Sequence, residues 1–435
     1  MTSCDITKII HRDPKSVQDY PNYAVNKLAS STDAFIFFRS FVPCFYCYLK
    51  SNQTWNSPVF DALRSFVGWC AGDAHPKNFG VLPLYLTSGE KKLVFAMNDP
   101  DDGDLGLPIY DILRLLTGIH FVDTNSSPKT LRKWLQQALC AYLAGLASGD
   151  FPSDQNAITD FLSDCGVSNS IINDMVCSKN SKCFHCDEKY GETKNGELVP
   201  VCTSGKTEIN IQITPEEMDA LDRFVENDCY LKGYKIKYYL AYMKTTGGSG
   251  YLRQYRICLH DKDLDSSDPF RHVILDIKPE CNSSVHYEQM GHNVKQILAR
   301  VNTNLRKERG GELCRFNRAV AIPALGCGAF LIRARWDGQE GIDTDKIPDN
   351  PGLLCAEAKI LGITHRNAMI NVNDVDAYQS VVETMQSELI LLAGEMAAAI
   401  EHGYQCCCLT DSAPCSCCDE ALRLRVHTAR SPQES

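Results

Sequence analysis

Two short segments, Gly72-Asp73-Ala74-His75-Pro76-Lys77-Asn78-Phe79 and Asn98-Asp99-Pro100-Asp101-Asp102, constrain the fold of this chain more than any other feature. The residues between them read as a β-hairpin over 81–97. Val81 to Leu86 and Leu93 to Met97 are its apolar runs, and Thr87-Ser88-Gly89-Glu90 supplies the turn. A hairpin brings the chain back to where it left. The two acidic segments are therefore expected side by side.

Carboxylates and an amide on adjacent loops suit phosphoryl transfer from ATP, which needs few protein parts. One carboxylate takes or positions the proton of the acceptor hydroxyl. An amide oxygen and a second carboxylate hold magnesium. A lysine and backbone amides cradle the phosphates. Kinase-like proteins carry the first aspartate and the asparagine on one loop, five residues apart, as Asp73 and Asn78 are. Asp73 is thus the expected base and Asn78 a metal ligand. Asp99, at the end of the hairpin, is the expected metal carboxylate, and Asp101 is a further hard oxygen donor. Gly106 to Asp111 opens a helix, and Asp111 is placed to brace the first loop, with His75 in support. A lone Gly-Asp is usually a turn and a lone histidine a packing residue. It is the ordered combination around a hairpin that points to chemistry.

The runs GDAHPKNFG, NDPDD and LPIYDILRLL resemble an uncharacterised domain-of-unknown-function family, number twenty-two fifty-two, itself similar to aminoglycoside phosphotransferases and other protein-kinase-like enzymes. The resemblance spans most of residues 30–345, is strongest at 72–115, and includes Phe37-Phe38-Arg39. It implies a kinase-like fold with magnesium and ATP as cofactors, and no settled activity. The chain departs from the pattern in several places. Pro100 stands where a phenylalanine follows the metal aspartate. Proline removes a backbone donor and fixes φ, which predicts altered metal-loop geometry. Ala71 stands where related phosphotransferases carry histidine, and the chain beyond about 403 looks unlike the family.

Only 71 residues precede Gly72, and they hold no glycine-rich hairpin followed by a lysine strand. The nucleotide half is expected downstream. Lys244-Thr245-Thr246-Gly247-Gly248-Ser249-Gly250 leads into an alternating strand at 251–259. A second strand, 271–278, ends on Lys278. Glycine turn, strand and lysine strand form the order of a phosphate-covering lobe, with Gly247, Gly248, Ser249, Gly250 and Lys278 as nucleotide-binding residues. By itself a glycine loop is more often a simple hairpin turn. A helix over 286–301 offers Glu288 as a partner for Lys278, with Glu280 as a rival. Arg333 and Arg335, on a strand at 329–335, match an arginine-rich strand of the family, where they bind phosphate or flank the strand. The fold class is therefore α+β: a protein-kinase-like, two-lobed fold, circularly rearranged so that the catalytic half precedes the nucleotide half.

Five segments follow. Residues 1–147 hold the catalytic and metal loops, with helices at 109–121 and 128–147. Residues 148–215 are a polar, cysteine-bearing insertion or linker. Residues 216–345 are the β-rich half, 346–402 are helical with a last helix at 374–402, and 403–435 are a cysteine-rich tail expected to be disordered. The 44 basic and 54 acidic residues, net −10, argue against a nucleic-acid partner. No apolar run reaches the length of a membrane span, and the start of the chain lacks the apolar core of a signal peptide. A cytoplasmic protein is expected, with its 22 cysteines mostly reduced. Cys183 and Cys186 have CxxC spacing, and Cys177 and Cys202 would complete a zinc site. A second CxxC pair is missing, so thiols on a loop are the plainer reading.

Two other functions fit the same residues, and a third does not. One is a non-catalytic, kinase-like nucleotide-binding protein, which Pro100 and the irregular glycine loop favour. Another is a nucleotidyl transferase with ATP bound in reverse. A binuclear metallophosphatase needs more histidines in Gly-Asn-His context than the 11 here provide. The acceptor, whether a small molecule or a protein hydroxyl, has no sequence signature.

Overall fold

The computed structural model describes residues 26, 28–177, 183–194, 197–203, 208–245, 251–265, 267–286 and 293–408. It is a mixed α+β structure. The early aromatic run becomes two short helices, α1 (Ala34–Ser40) and α2 (Val42–Ser51). The Asp33 side chain caps α1 by accepting from the Ile36 N–H at 2.8 Å. After β1 (Gly68–Cys70) comes the expected hairpin, β2 (Phe79–Tyr85) and β3 (Lys91–Met97), in register from Phe79↔Met97 to Tyr85↔Lys91. Strand β4 (Asp104–Gly106) returns to pair with β1. Helix α3 (Ile109–Ile119) is buried almost all round. Helix α4 (Pro128–Ser148) starts on the Ser127 cap with proline in its first turn and stops at Gly149, whose φ is 77°.

The stretch 148–215, expected as a polar insertion or linker, carries regular elements of its own. Helix α5 (Gln155–Asp164) buries Ile158, Phe161 and Leu162 in the same core as α3 and α4. Strands β5 (Gly191–Lys194) and β6 (Glu197–Pro200) form a hairpin, and β7 (Glu208–Ile211) joins the main sheet. Each of these elements is short, so its few apolar residues are outnumbered by turn residues in any sequence window.

Helix α6 (Pro215–Asn227) opens on a Thr214–Glu217 capping box. Strands β8 (Lys235–Lys244), β9 (Arg253–His260) and β10 (His272–Pro279) follow. Helix α7 (Val294–Glu308) begins later than the expected 286, at an Asn293 side-chain cap. Strands β11 (Asn317–Ala321) and β12 (Ala329–Ala334) complete a six-stranded antiparallel sheet of order β11-β12-β10-β9-β8-β7. Period-two alternation gives this sheet two unlike faces. Tyr255, Ile257, Leu275, Ile277 and Ile332 join a core with α6. The opposite face carries Gln254, Arg256, Asp276, Lys278 and Arg333 in cross-strand register.

A two-residue strand, β13 (Glu340–Gly341), pairs with β2 and leads the chain back to the helical half. There α8 (Gly352–Ala368), α9 (Val375–Thr384) and α10 (Gln386–Cys408) enter the first core. Helices α8 and α4 approach closely because Gly145 and Gly362 face the partner backbone, where a Cβ would collide. The single helix expected at 374–402 is therefore two. The second runs through 403–408 with Cys406 and Cys408 buried, so the expected tail begins as helix; its residues 409–435 lie outside the described ones. Cys47 is disulfide-bonded, whereas Cys70, Cys140, Cys258 and Cys314 are among the thiols. No helix among the described residues is long and apolar enough to cross a membrane.

Candidate functional site

The loop after β1 is held from below. Asp111, on the first turn of α3, accepts the Ala71 N–H at 2.6 Å and the Gly72 N–H at 2.9 Å. Its Oδ2 also lies 3.0 Å from His365 Nε2, and a buried chain runs on through Tyr142 and Tyr378. The Tyr46 hydroxyl donates to the Gly72 carbonyl at 2.7 Å. Gly72 has φ 84° and faces the Asp102 carbonyl so closely that a Cβ would not fit. That contact joins the first loop to the second.

Asp73 projects from this braced loop. Its Oδ1 receives Arg114 Nε at 3.0 Å, and Arg114 is wholly buried. His75 Nε2 stands 3.6 Å from Asp73 Oδ2. Burial pushes the Asp73 carboxyl up to about 6, against the pull of Arg114. Burial pushes His75 well below its usual value, with the charges of Arg39 and Arg114 adding to the effect. Asn78 donates its amide N–H to the Asp73 carbonyl at 2.9 Å, and its backbone carbonyl receives the Asn98 N–H at 2.9 Å. It therefore stands between the two acidic segments, and its Oδ1 accepts no hydrogen bond among the described residues.

The second loop is a 3₁₀ turn, Pro100–Asp102. Pro100 sits at its first position, where a fixed φ is suited and an N–H is dispensable. The proline thus starts the turn that aims Asp101 inward. Lys278, at the end of β10, reaches down between the acids. Its Nζ lies 2.5 Å from Asp101 Oδ2, 3.3 Å from Asp99 Oδ2 and 3.9 Å from Glu280 Oε1. Arg333 on β12 lies 3.7 Å from Asp99 Oδ1. Burial raises Asp99, but Lys278 and Arg333 outweigh it and hold Asp99 well below the carboxylate range. Burial and the charge of Asp99 push Asp101 up. Burial lowers Lys278, but its three acidic neighbours raise it well above its usual value.

Helix α7 clamps this loop. Arg300 donates to the carbonyls of Asp101 (2.6 Å), Gly103 and Cys281, and the buried Asn304 amide donates to the Pro100 carbonyl. The Asp102 carboxylate accepts from the Ser284 N–H and hydroxyl at 3.0 and 2.7 Å.

The structure thus brings Asp99, Asp101 and Arg333 together around Lys278, and gathers Asp73, His75, Asn78 and Asp111 at the first loop. Of the two rival partners for Lys278, Glu280 is adjacent, and Glu288 lies outside the described residues, as do Gly247, Gly248, Ser249 and Gly250. Arg335 is turned to Asp276, which Arg256 also pairs, so it is part of the sheet and not of the cleft. Buried acceptor atoms without a hydrogen-bond partner remain at Asn98 Oδ1, Asp99 Oδ1 and Glu280 Oε1. Hard oxygen donors of this kind are those that a cation such as magnesium takes. Among the described residues no three His, Cys, Asp or Glu side chains form a metal cage. Cys183 packs on Gly338 and Cys186 bridges to Trp336, while the Cys177 side chain lies outside the described residues; Cys202 is half-buried. Arg114 went unread in the sequence, although a lone arginine three residues after Asp111 in an otherwise apolar helix was the available signal.

Fold and site together define a mixed α+β protein in which a lysine-bearing antiparallel sheet closes over two braced acidic loops. Residues 23–177, which contain both loops and α3, match the model of a family described as "Uncharacterized protein conserved in bacteria (DUF2252)", in support of the resemblance carried by the motifs. No curated protein and no solved structure matches the chain.

Proposed function

We propose that the protein is a magnesium- and ATP-dependent phosphotransferase of protein-kinase-like, circularly rearranged fold, acting on a hydroxyl group. The observation that carries this reading is Lys278 of the sheet half reaching Asp99 and Asp101, beside an Asp73–Asn78 loop braced by Asp111. Asp73 accepts the acceptor's hydroxyl proton. The acceptor oxygen forms a bond to the γ-phosphorus, the bond from that phosphorus to the β,γ-bridging oxygen breaks, and ADP leaves with the electron pair. Lys278 turns from the carboxylates to the phosphates. Asn78, Asp99 and Asp101 are the residues that would hold magnesium, which supplies charge neutralisation on the phosphates. Asp99→Ala is expected to abolish magnesium-dependent ATP binding in calorimetry, and unchanged affinity would remove the metal assignment. A second reading, nucleotide binding without turnover, is favoured by the ion pair of Arg114 on the proposed base. Incubation with magnesium and ATP, followed by nucleotide analysis and intact mass, separates the two; the mass added to a product also separates phosphoryl from nucleotidyl transfer.

A further inference from the structure

The proposed base lies near two guanidinium groups, Arg114, which is paired with it, and Arg39, which is not. Arg39, in α1, stacks its guanidinium over the Phe35 ring, with Cζ 5.6 Å from the centroid. The Phe35 ring meets the His75 ring edge-on at 6.1 Å, and His75 is the neighbour of Asp73. A second guanidinium, Arg114, is hydrogen-bonded to Asp73. Arg39 Nε and Arg114 Nη1 are both buried without a hydrogen-bond partner. Arg39 has no hydrogen bond or ion pair among the described residues, and it lies in the fields of Asp73, Arg114 and Asp33. Asp33 is exposed and already accepts from Ile36 N–H and the Thr32 hydroxyl. Burial disfavours the charged imidazolium form of His75.

A desolvated donor left without its hydrogen bond is costly, and an arginine fork matches carboxylates and phosphates in a way that no neutral group does. We propose that the acceptor is a small anionic alcohol, a hydroxyl compound carrying a carboxylate or phosphate, and that Arg39 binds this acidic group while Asp73 receives the hydroxyl proton. The proposal rests on the phosphotransferase reading for the role of Asp73, but anion binding at Arg39 is separately measurable. It also excludes a class. An acceptor carrying ammonium groups would meet Arg39 and Arg114, so the aminoglycosides taken by the enzymes this family resembles are poor substrates here.

Calorimetry on the full chain tests this with glycerate and glycerol 3-phosphate as anionic alcohols, glycerol as the neutral control and 2-amino-1,3-propanediol as the cationic one. At least one anion is expected to bind at millimolar concentration, and the two controls about tenfold more weakly or not at all. The two anions distinguish a carboxylate site from a phosphate site. Arg39→Met should weaken anion binding about tenfold or more, Arg39→Lys should restore part of it, and magnesium-ATP affinity should stay the same in both variants. Controls that bind as well as the anions, anions that bind Arg39→Met as well as wild type, or no binding of either anion would each overturn the proposal. If the wild-type chain binds anions through Arg39 but takes up no magnesium-ATP, the phosphotransferase reading falls and the anion site stands.

Discussion

At Asp73 burial and charge oppose each other, and burial prevails. The carboxyl is pushed up to about 6 although Arg114 touches it. A base works only when deprotonated, so turnover should fall about tenfold per pH unit below pH 6, with an acidic limb that reports this group. Asp73→Ala should spare magnesium-ATP binding and cut turnover by roughly 10²–10⁴; equal turnover in the two proteins would remove the role. Lys278 tests the other loop. It neutralises Asp99 and Asp101, which otherwise face each other as like charges. Lys278→Met should therefore lower thermal stability at neutral pH. Magnesium should raise the melting temperature of the variant more than that of wild type, because the ion takes over the neutralising charge. Equal magnesium responses would place the ion elsewhere.

At the scale of elements, the hairpin of β2 and β3 was legible because its apolar runs and turn residues follow strand chemistry. Helices α3 and α4 were legible because their apolar positions recur at helical spacing. Asp111 could be placed for the same reason: it opens a helix whose start was marked. Helix α7 shows what was not legible. Arg300, Asn304 and Glu308 recur every fourth residue, which in a sequence reads as a solvated face, yet all three are buried against the 98–103 loop or beside it. Only the tertiary position of that loop converts the stripe into a clamp. The split of α9 from α10 and the core role of α5 were hidden similarly, by polar residues that satisfy local turns. The clamp carries its own prediction. Asn304→Ala leaves the buried Pro100 carbonyl without its donor and should cost about 1–3 kcal/mol of stability. Magnesium-ATP affinity should fall with it, whereas a loss of stability alone would make the clamp purely structural.

For the molecule as a whole, the helices that follow the sheet half do not form a separate appendage. They complete the core of the first half, and α8 also supports the proposed catalytic loop. Glu357 of α8 accepts the Lys77 N–H at 3.2 Å, where Lys77 holds a left-handed φ of 90°. Its other oxygen, Oε2, is buried without a partner. Burial pushes this carboxyl up to about 8 from an ordinary 4.5. The sign of the linkage follows. A folded-state value above the unfolded one means that the native protein binds the extra proton between pH 4.5 and 8. The resulting stability is fully present below about pH 4.5 and is lost as the pH rises through about 8. Glu308, raised to about 8 by burial and then by the charge of Asp111, contributes in the same direction. Each group adds a slope of about 1.4 kcal/mol per pH unit inside that window. Glu357→Gln keeps the size and a hydrogen-bonding carbonyl but cannot titrate. Denaturant unfolding from pH 5 to 8 should therefore show a shallower fall in stability for Glu357→Gln than for wild type, by about that slope, and parallel curves would mean that Glu357 titrates normally in the native protein.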